Sequence, residues 1–276
     1  MIHASKKNIL KKNSAHATQF NARTCYALSS HCCIPEATRL MNSEYRPQII
    51  RHVEAGKICC DPQWEAAYKR FETPEEEIEK FTRRLRAFGL HRQPKDIRIA
   101  ELFCGRGGGL IALERLGFTN IEGVDLSDTL LEEYGGAATL HLADCRRLPF
   151  DDHSFDAAIV QGGLHHLPDL LEDLNAALSE ISRCLKPTGT FYVVEPWLTP
   201  FLRFVHVVVE QPLVRRIYRK GDALAAMTEH EIETYEQWLG QPAEILKVFA
   251  RHFRVQQKTT AWGKLRFVGT PVAHPL

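Results

Sequence analysis

The sequence predicts an α/β fold in which a largely parallel sheet carries helices on both faces. Two observations predict it. Between residues 97 and 194, short apolar runs alternate with segments of helical period, and the middles of those runs are unbroken, as in strands buried on both sides. The first run leads through Gly105-Arg106-Gly107-Gly108-Gly109 into a helix, a strand–turn–helix junction whose glycines let backbone approach a ligand. A chain of 276 residues is long enough for one large domain with appendages.

Residues 42–93 predict N-terminal helices. Trp64, Tyr68 and Phe71 recur at helical spacing. Thr73-Pro74 reads as an N-cap with proline at the first helical position, and Ile78, Phe81, Leu85 and Phe88 form the apolar stripe. Glu75, Glu76 and Glu77 open that helix, Arg83, Arg84 and Arg86 complement its other end, and Gly89 stops it. These aromatics read as core; the alternative makes Tyr68 or Phe71 part of a lid over a ligand.

The strands are expected at Ile97–Phe103, Ile121–Val124, Thr139–Ala143, Phe155–Val160 and Thr190–Val194. Helices are expected at Leu110–Leu116, 128–134 and Leu170–Leu185, and a turn at Lys186-Pro187-Thr188-Gly189. Residues 94–196 form this core. Residues 197–250 change character and predict a helical cap insertion, with Pro200 and Pro212 interrupting a Val-, Leu-, Phe- and Arg-rich stretch. The segment 201–209 reads either as a lid over an apolar or anionic acceptor, with peripheral membrane contact, or as a core helix with solvated arginines. Residues 251–276 predict an edge hairpin, Phe253–Thr259 with Leu265–Val268, completing the sheet.

A net charge of +1 leaves no global basic field for nucleic acid, and no apolar run reaches the roughly 18 residues of a membrane span. Residues 1–41 read as a disordered tail or as a mis-called start upstream of Met41. Residues 1–35 hold Lys6, Lys7, Lys11, Lys12 and Arg23 and no acid; the first acid is Glu36. The eight cysteines show neither C-x-x-C nor zinc-type spacing, which fits free thiols in a reducing, cytoplasmic compartment.

The glycine turn lacks the Gly-Lys-Ser/Thr of a phosphate loop. Its partners are acidic. Asp125 lies 20 residues after Gly105 at the end of the second strand, where a carboxylate accepts both hydroxyls of a ribose. Glu101 stands at the start of the turn, within reach of an ammonium group, which S-adenosylmethionine has and NAD lacks. Asp144 ends the third strand, where a carboxylate accepts from an adenine amino group.

In order along the chain occur Glu101–Gly109, Gly123-Val124-Asp125-Leu126-Ser127, Ala143-Asp144, Leu148-Pro149-Phe150 with Ser154-Phe155-Asp156, Leu164-His165-His166-Leu167, and Leu185-Lys186-Pro187-x-Gly189. This set resembles class I S-adenosylmethionine-dependent methyltransferases of the small-molecule, type 11 group related to ubiquinone and menaquinone methyltransferases. The resemblance covers about residues 97–196. It implies a Rossmann-like seven-stranded sheet with an antiparallel edge strand, and an enzyme that methylates a small molecule. By position it implies that Glu101, Gly105 and Gly107 cradle the methionine moiety of the cofactor, with Cys104 also among the cofactor-binding residues. Asp125 would bind ribose, Leu126 would pack on adenine, Asp144 and Cys145 would read its edge, and Gln161 and Gly162 would face the sulfonium.

Two departures stand out. Phe103 takes a position that is usually glycine, and Arg106 is large for its place. A cytosine-C5 DNA methyltransferase is excluded, because Gln161-Gly162-Gly163-Leu164 stands where its Pro-Cys nucleophile belongs. His165, His166 and Glu195, beyond the fourth and fifth strands, are the candidate bases or pocket lining, and each histidine also has a purely structural reading. No metal constellation is visible, and no Tyr-x-x-x-Lys pair supports nicotinamide chemistry. A non-catalytic cofactor-binding protein is the remaining alternative.

Overall fold

The structure, a computed structural model, describes residues 47–54 and 62–272. The tail at 1–41, Met41 and the vicinal cysteine pairs lie outside the described residues.

In chain order the elements are β1 (Ile49–Arg51), α1 (Pro62–Phe71), α2 (Pro74–Ala87), β2 (Ile99–Leu102), α3 (Gly108–Arg115), β3 (Ile121–Asp125), α4 (Asp128–Leu131), β4 (Thr139–Leu142), β5 (Phe155–Gln161), α5 (Leu170–Cys184) and β6 (Leu185–Pro196). There follow α6 (Pro200–Val209), α7 (Pro212–Ile217), α8 (Arg219–His230), α9 (Ile232–Gly240), α10 (Pro242–His252), β7 (Phe253–Ala261) and β8 (Lys264–Pro271). The sheet order is β1-β4-β3-β2-β5-β6-β8-β7. The pairings from β1 to β6 are parallel, whereas β8 runs antiparallel to both β6 and β7. The antiparallel strand therefore sits one place inside the edge.

The sheet has eight strands among the described residues, one more than expected, and the region 42–93 is not wholly helical. The addition is β1, three residues paired to β4 alone. So short a strand, half exposed, leaves no period-two signal to read. The Lys186–Gly189 turn is likewise absorbed into β6, where the register against β5 jumps from Phe155↔Leu185 to Ala157↔Thr190.

Strand residues alternate between two cores. Ala100, Leu102, Val124, Ala158, Val160, Phe191 and Val193 face α5 and α10; Ile99, Ile121, Leu140, Ala157 and Ile159 face α2 and α3. Ile245, Val248 and Phe249 of α10 are buried in the first core. The stretch read as a cap therefore divides, with α10 serving as a layer of the sheet. Helix α2 starts in a capping box: Thr73 Oγ1 accepts from Glu76 N (3.3 Å) and Glu76 Oε2 accepts from Thr73 N (3.0 Å). Gly89, at φ 77°, ends it.

Candidate functional site

The parallel strands β2, β3, β4 and β5 end on one side of the sheet, where doubly wound folds hold ligands. Glu101, in β2, is 2% exposed. Its Oε1 accepts from Gln161 Nε2 at the end of β5 (3.1 Å). Its Oε2, and Gln161 Oε1, are buried with no hydrogen-bond partner among the described residues. Burial, with a smaller contribution from the Glu77 charge and against the Gln161 hydrogen bond, pushes the Glu101 carboxyl up to about 8.

Asp125 ends β3. Its Oδ2 accepts from Gly105 N (2.7 Å) and its Oδ1 from Ser127 N (2.9 Å), so it ties the glycine turn to the next loop. Burial raises its pKa, opposed by the amides of Ser127, Gly105 and Leu126. Leu126 beside it is half-buried. Gly105 has φ 54° and Gly162 φ 94°; a Cβ on Gly162 would meet no atom within 4 Å. Glu101, Gly105, Asp125, Gln161 and Gly162 are thus the predicted cofactor residues that the ends of β2, β3 and β5 bring together.

Gly107, Cys104, Cys145 and Asp144 are employed differently. A Cβ on Gly107 would lie 2.2 Å from Cδ2 of Tyr134, on Gly108 2.8 Å from Cγ of Glu77, and on Gly109 2.0 Å from Oε1 of Glu101. The glycine run is a row of seats for three side chains as much as a ligand cradle. Cys104 Sγ turns back toward β3, 3.0 Å from where a Gly123 Cβ would be, and Cys145 is buried in the core facing α5. Desolvation raises both thiols. Both side chains are buried and fill core volume. Asp144 is held bidentate by Arg146, through Nε and Nη2 (2.7 Å for the latter), and Arg146 Nη1 reaches Asp173 of α5 (2.8 Å). Burial would raise the Asp144 carboxyl, but the Arg146 guanidinium and amide keep it below its ordinary value.

The two departures have physical explanations. Phe103 takes the left-handed conformation usual for glycine, φ 56°, and its ring packs on Gly163. Arg106 points away from the sheet to α2, with Nε on Glu77 Oε2 (2.7 Å), Nη2 on the Glu72 carbonyl (2.7 Å) and its guanidinium 4.9 Å from the Tyr68 ring centroid. The Tyr68 hydroxyl donates to the same Glu77.

His165 and His166 lie on a 3-10 turn after β5, and Glu195 near the end of β6. Glu195 is fully buried. Its Oε1 accepts from the amides of Gly163 and Leu164 (2.8 and 2.9 Å), and its Oε2 lies 2.7 Å from His165 Nδ1. Burial would raise the Glu195 carboxyl; the His165 ring and the two amides outweigh it and hold it low. His165 is lowered, first by burial and then by the His166 charge. His166 is raised: burial opposes, but Glu231 prevails.

Glu231, between α8 and α9, is the residue sequence reasoning missed. Its Oε2 lies 3.1 Å from His166 Nδ1 and 2.7 Å from Trp64 Nε1, and its Oε1 lies 3.9 Å from His165 Nε2. One glutamate in an amphipathic stretch carries no distinguishing pattern; only tertiary folding gives it these neighbours. His165, His166 and Glu231 place one ligand-type atom each within 4.8 Å of one another, a cluster the sequence does not reveal. Helix α1 closes the other side. Trp64 stacks on Tyr68 and meets His166 edge-on (5.1 Å), and Glu65 accepts from Ser127 and Thr129. Trp64 and Tyr68 of α1 thus lie against His166 and the glycine turn.

Residues 101–193 match the family described as methyltransferase domain. Over 110 residues the chain is 34% identical to demethylmenaquinone methyltransferase of Staphylococcus aureus, covering 37% of this chain and 44% of that one. The chain therefore spans less than half the length of this curated relative. The solved PH0226 protein of Pyrococcus horikoshii superimposes with TM-score 0.58 at 18% identity, over 77% of this chain and 100% of its own. Magnesium protoporphyrin IX methyltransferase of Synechocystis, with bound SAH, gives 0.50 at 16%, over 76% and 93%. Among the described residues no helix is long and apolar enough to cross a membrane. Residues 101–193 thus resemble a methyltransferase domain, and the mixed eight-stranded sheet that holds them shares the fold of these two solved structures.

Proposed function

We propose that the protein is an S-adenosylmethionine-dependent methyltransferase acting on a small-molecule acceptor. One observation carries the proposal: Glu101 Oε2 and Gln161 Oε1, on two hydrogen-bonded side chains at the ends of β2 and β5, are buried without a partner among the described residues. Buried acceptors without donors are costly, and a ligand bearing an ammonium group and a ribose supplies those donors. Glu101 and Gln161 would hold the amino-acid end, Asp125 the sugar and Leu126 one face of the base. Asp144, braced by Arg146, keeps lone pairs for the base edge. The cofactor, bound there, supplies a methyl group already activated on a sulfonium.

The chain's own work is then alignment, exclusion of water and proton removal. Helix α1 sets Trp64 and Tyr68 against His166 and the glycine turn. His165 is the base. Glu195 accepts from Nδ1–H, which leaves the lone pair on Nε2, directed toward Glu231. Nε2 of His165 would take the proton that leaves the acceptor, while the bound cofactor would supply the methyl group that replaces it. The curated relative acts on a demethylmenaquinone, and an apolar ring bearing an ionisable hydroxyl suits this arrangement.

Calorimetry with S-adenosylmethionine and with NADH tests the cofactor; binding of NADH alone would refute the proposal. A methyl-transfer assay over quinol, lipid, sugar and protein acceptors tests turnover. Cofactor binding without transfer to any of them would favour the non-catalytic alternative.

A further inference from the structure

Helix α6 is apolar nearly all round, a pattern that calls for burial on both sides. Among the described residues only one side is covered. Val209 packs inward and His206 Nε2 lies 3.2 Å from the Tyr235 hydroxyl, whereas Phe204 is 65% and Val207 60% exposed. The exposed apolar strip continues along α7 with Leu213 (68%) and Ile217 (71%). Beside it stands Trp262, 77% exposed and 5.3 Å from the Phe201 ring. Trp262 and Gly263 form the β7–β8 turn with φ 53° and 74°, a two-residue turn whose first position favours Asn, Asp or Gly. A tryptophan strained into that position, with its ring in solvent, is not explained by the turn.

The charges on these helices divide. Arg215 is paired with Asp222 and Glu229, and Lys220 with Glu76. Arg203, Arg216 and Arg219 are exposed and have no carboxylate partner among the described residues. Exposed aliphatic and aromatic side chains interleaved with unpaired arginines match a bilayer interface, where the apolar groups enter the acyl boundary and guanidinium groups meet lipid phosphates.

We propose that the outer face of α6 and α7, with Trp262, docks on an anionic lipid bilayer. The docking stands on these residues alone. Its consequence, that an apolar acceptor enters from the bilayer, rests on the methyl-transfer reading. The link is the His206–Tyr235 contact, since Tyr235 packs edge-on to His165 (5.9 Å) and α6 thus lies between the exposed face and the proposed base.

The test is co-sedimentation of the full chain with vesicles of phosphatidylcholine alone and of phosphatidylcholine with phosphatidylglycerol. Partition is expected onto the anionic vesicles and should weaken with salt. R203S/R216S/R219S should lower it about fivefold per arginine, roughly a hundredfold together. F204S/I217S should lower it by at least tenfold, because apolar insertion is lost. Circular dichroism confirms that each variant folds. Calorimetry with S-adenosylmethionine, unchanged in both, separates failure of docking from failure of the cofactor reading. No partition onto anionic vesicles overturns the proposal. So does full partition of both variants, which would assign binding to another part of the chain, such as the lysines of residues 1–12. A dimer at sedimentation equilibrium that F204S/I217S converts to monomer would assign the face to a second copy and equally overturn it.

Discussion

The Phe103 ring occupies the space that a Gly163 side chain would need: a Cβ on Gly163 would stand 2.1 Å from Phe103 Cγ. Gly163 and Leu164 donate their amides to Glu195, so this packing also sets the loop that holds the proposed base. Gly163→Ala should destabilise the protein by about 1–3 kcal/mol through overpacking. In a Phe103→Gly background the same change should cost little. A double-mutant cycle by urea denaturation checks this, and additive effects would show that the two residues do not meet.

Glu101 couples pH to stability. Its folded pKa, about 8, lies above the unfolded value of 4.5, so the folded state binds the extra proton between those values. Stability from this group is fully present below pH 4.5 and is lost as pH rises toward 8, by on the order of a few kcal/mol. Glu101→Gln should therefore melt higher than the parent at pH 8, with the difference fading in acid. The same variant should lose S-adenosylmethionine binding, and calorimetry in buffers of different ionisation enthalpy should show proton release on binding to the parent protein only.

Asp125 is expected to carry the sugar contacts. Asp125→Ala should weaken S-adenosylmethionine binding about a hundredfold or more, the loss of two charge-assisted hydrogen bonds. Asp125→Asn, which can still accept from the Gly105 amide, should keep a cooperative melt and yet bind weakly. Unchanged affinity by calorimetry in both variants would refute the assignment.

The proposed base predicts a pH profile. Burial and the His166 charge place His165 below its ordinary 6.5, so the neutral, working form persists at neutral pH and activity should fall only on an acid limb below 6.5. Glu195→Gln removes a charge that raises His165, and the limb should move to still lower pH. His165→Gln should cut kcat by about 10²–10⁴ while leaving cofactor affinity intact. Steady-state kinetics across pH checks all three.

Arg106 and Glu77 form an ion pair with side chains 6% and 2% exposed. Glu77→Ala strands a buried guanidinium and should cost about 3–5 kcal/mol, read by urea denaturation. Replacing both residues with apolar ones of similar size should cost far less.

Much of the fold was legible in order along the chain. The apolar runs placed the strands around Ala100, Val124, Leu140, Ile159 and Val193, and Thr73-Pro74 with Gly89 marked both ends of α2, because a strand buried on both faces and a capped helix each satisfy local rules. Strand β1 escaped, since its three residues are defined by pairing with β4 and by nothing local.

The site shows the same division. The spacing of Glu101, Asp125 and Gly105 along consecutive strand–turn units follows from βα geometry, so composition and order determine it. The seating of Glu77, Glu101 and Tyr134 against three glycines, the bracing of Asp144 by Arg146, and the arrival of Glu231 and Trp64 at two histidines were decided only by folding. Those contacts join residues up to 167 positions apart, and side-chain type at such a separation carries no periodic trace of the partner it will meet.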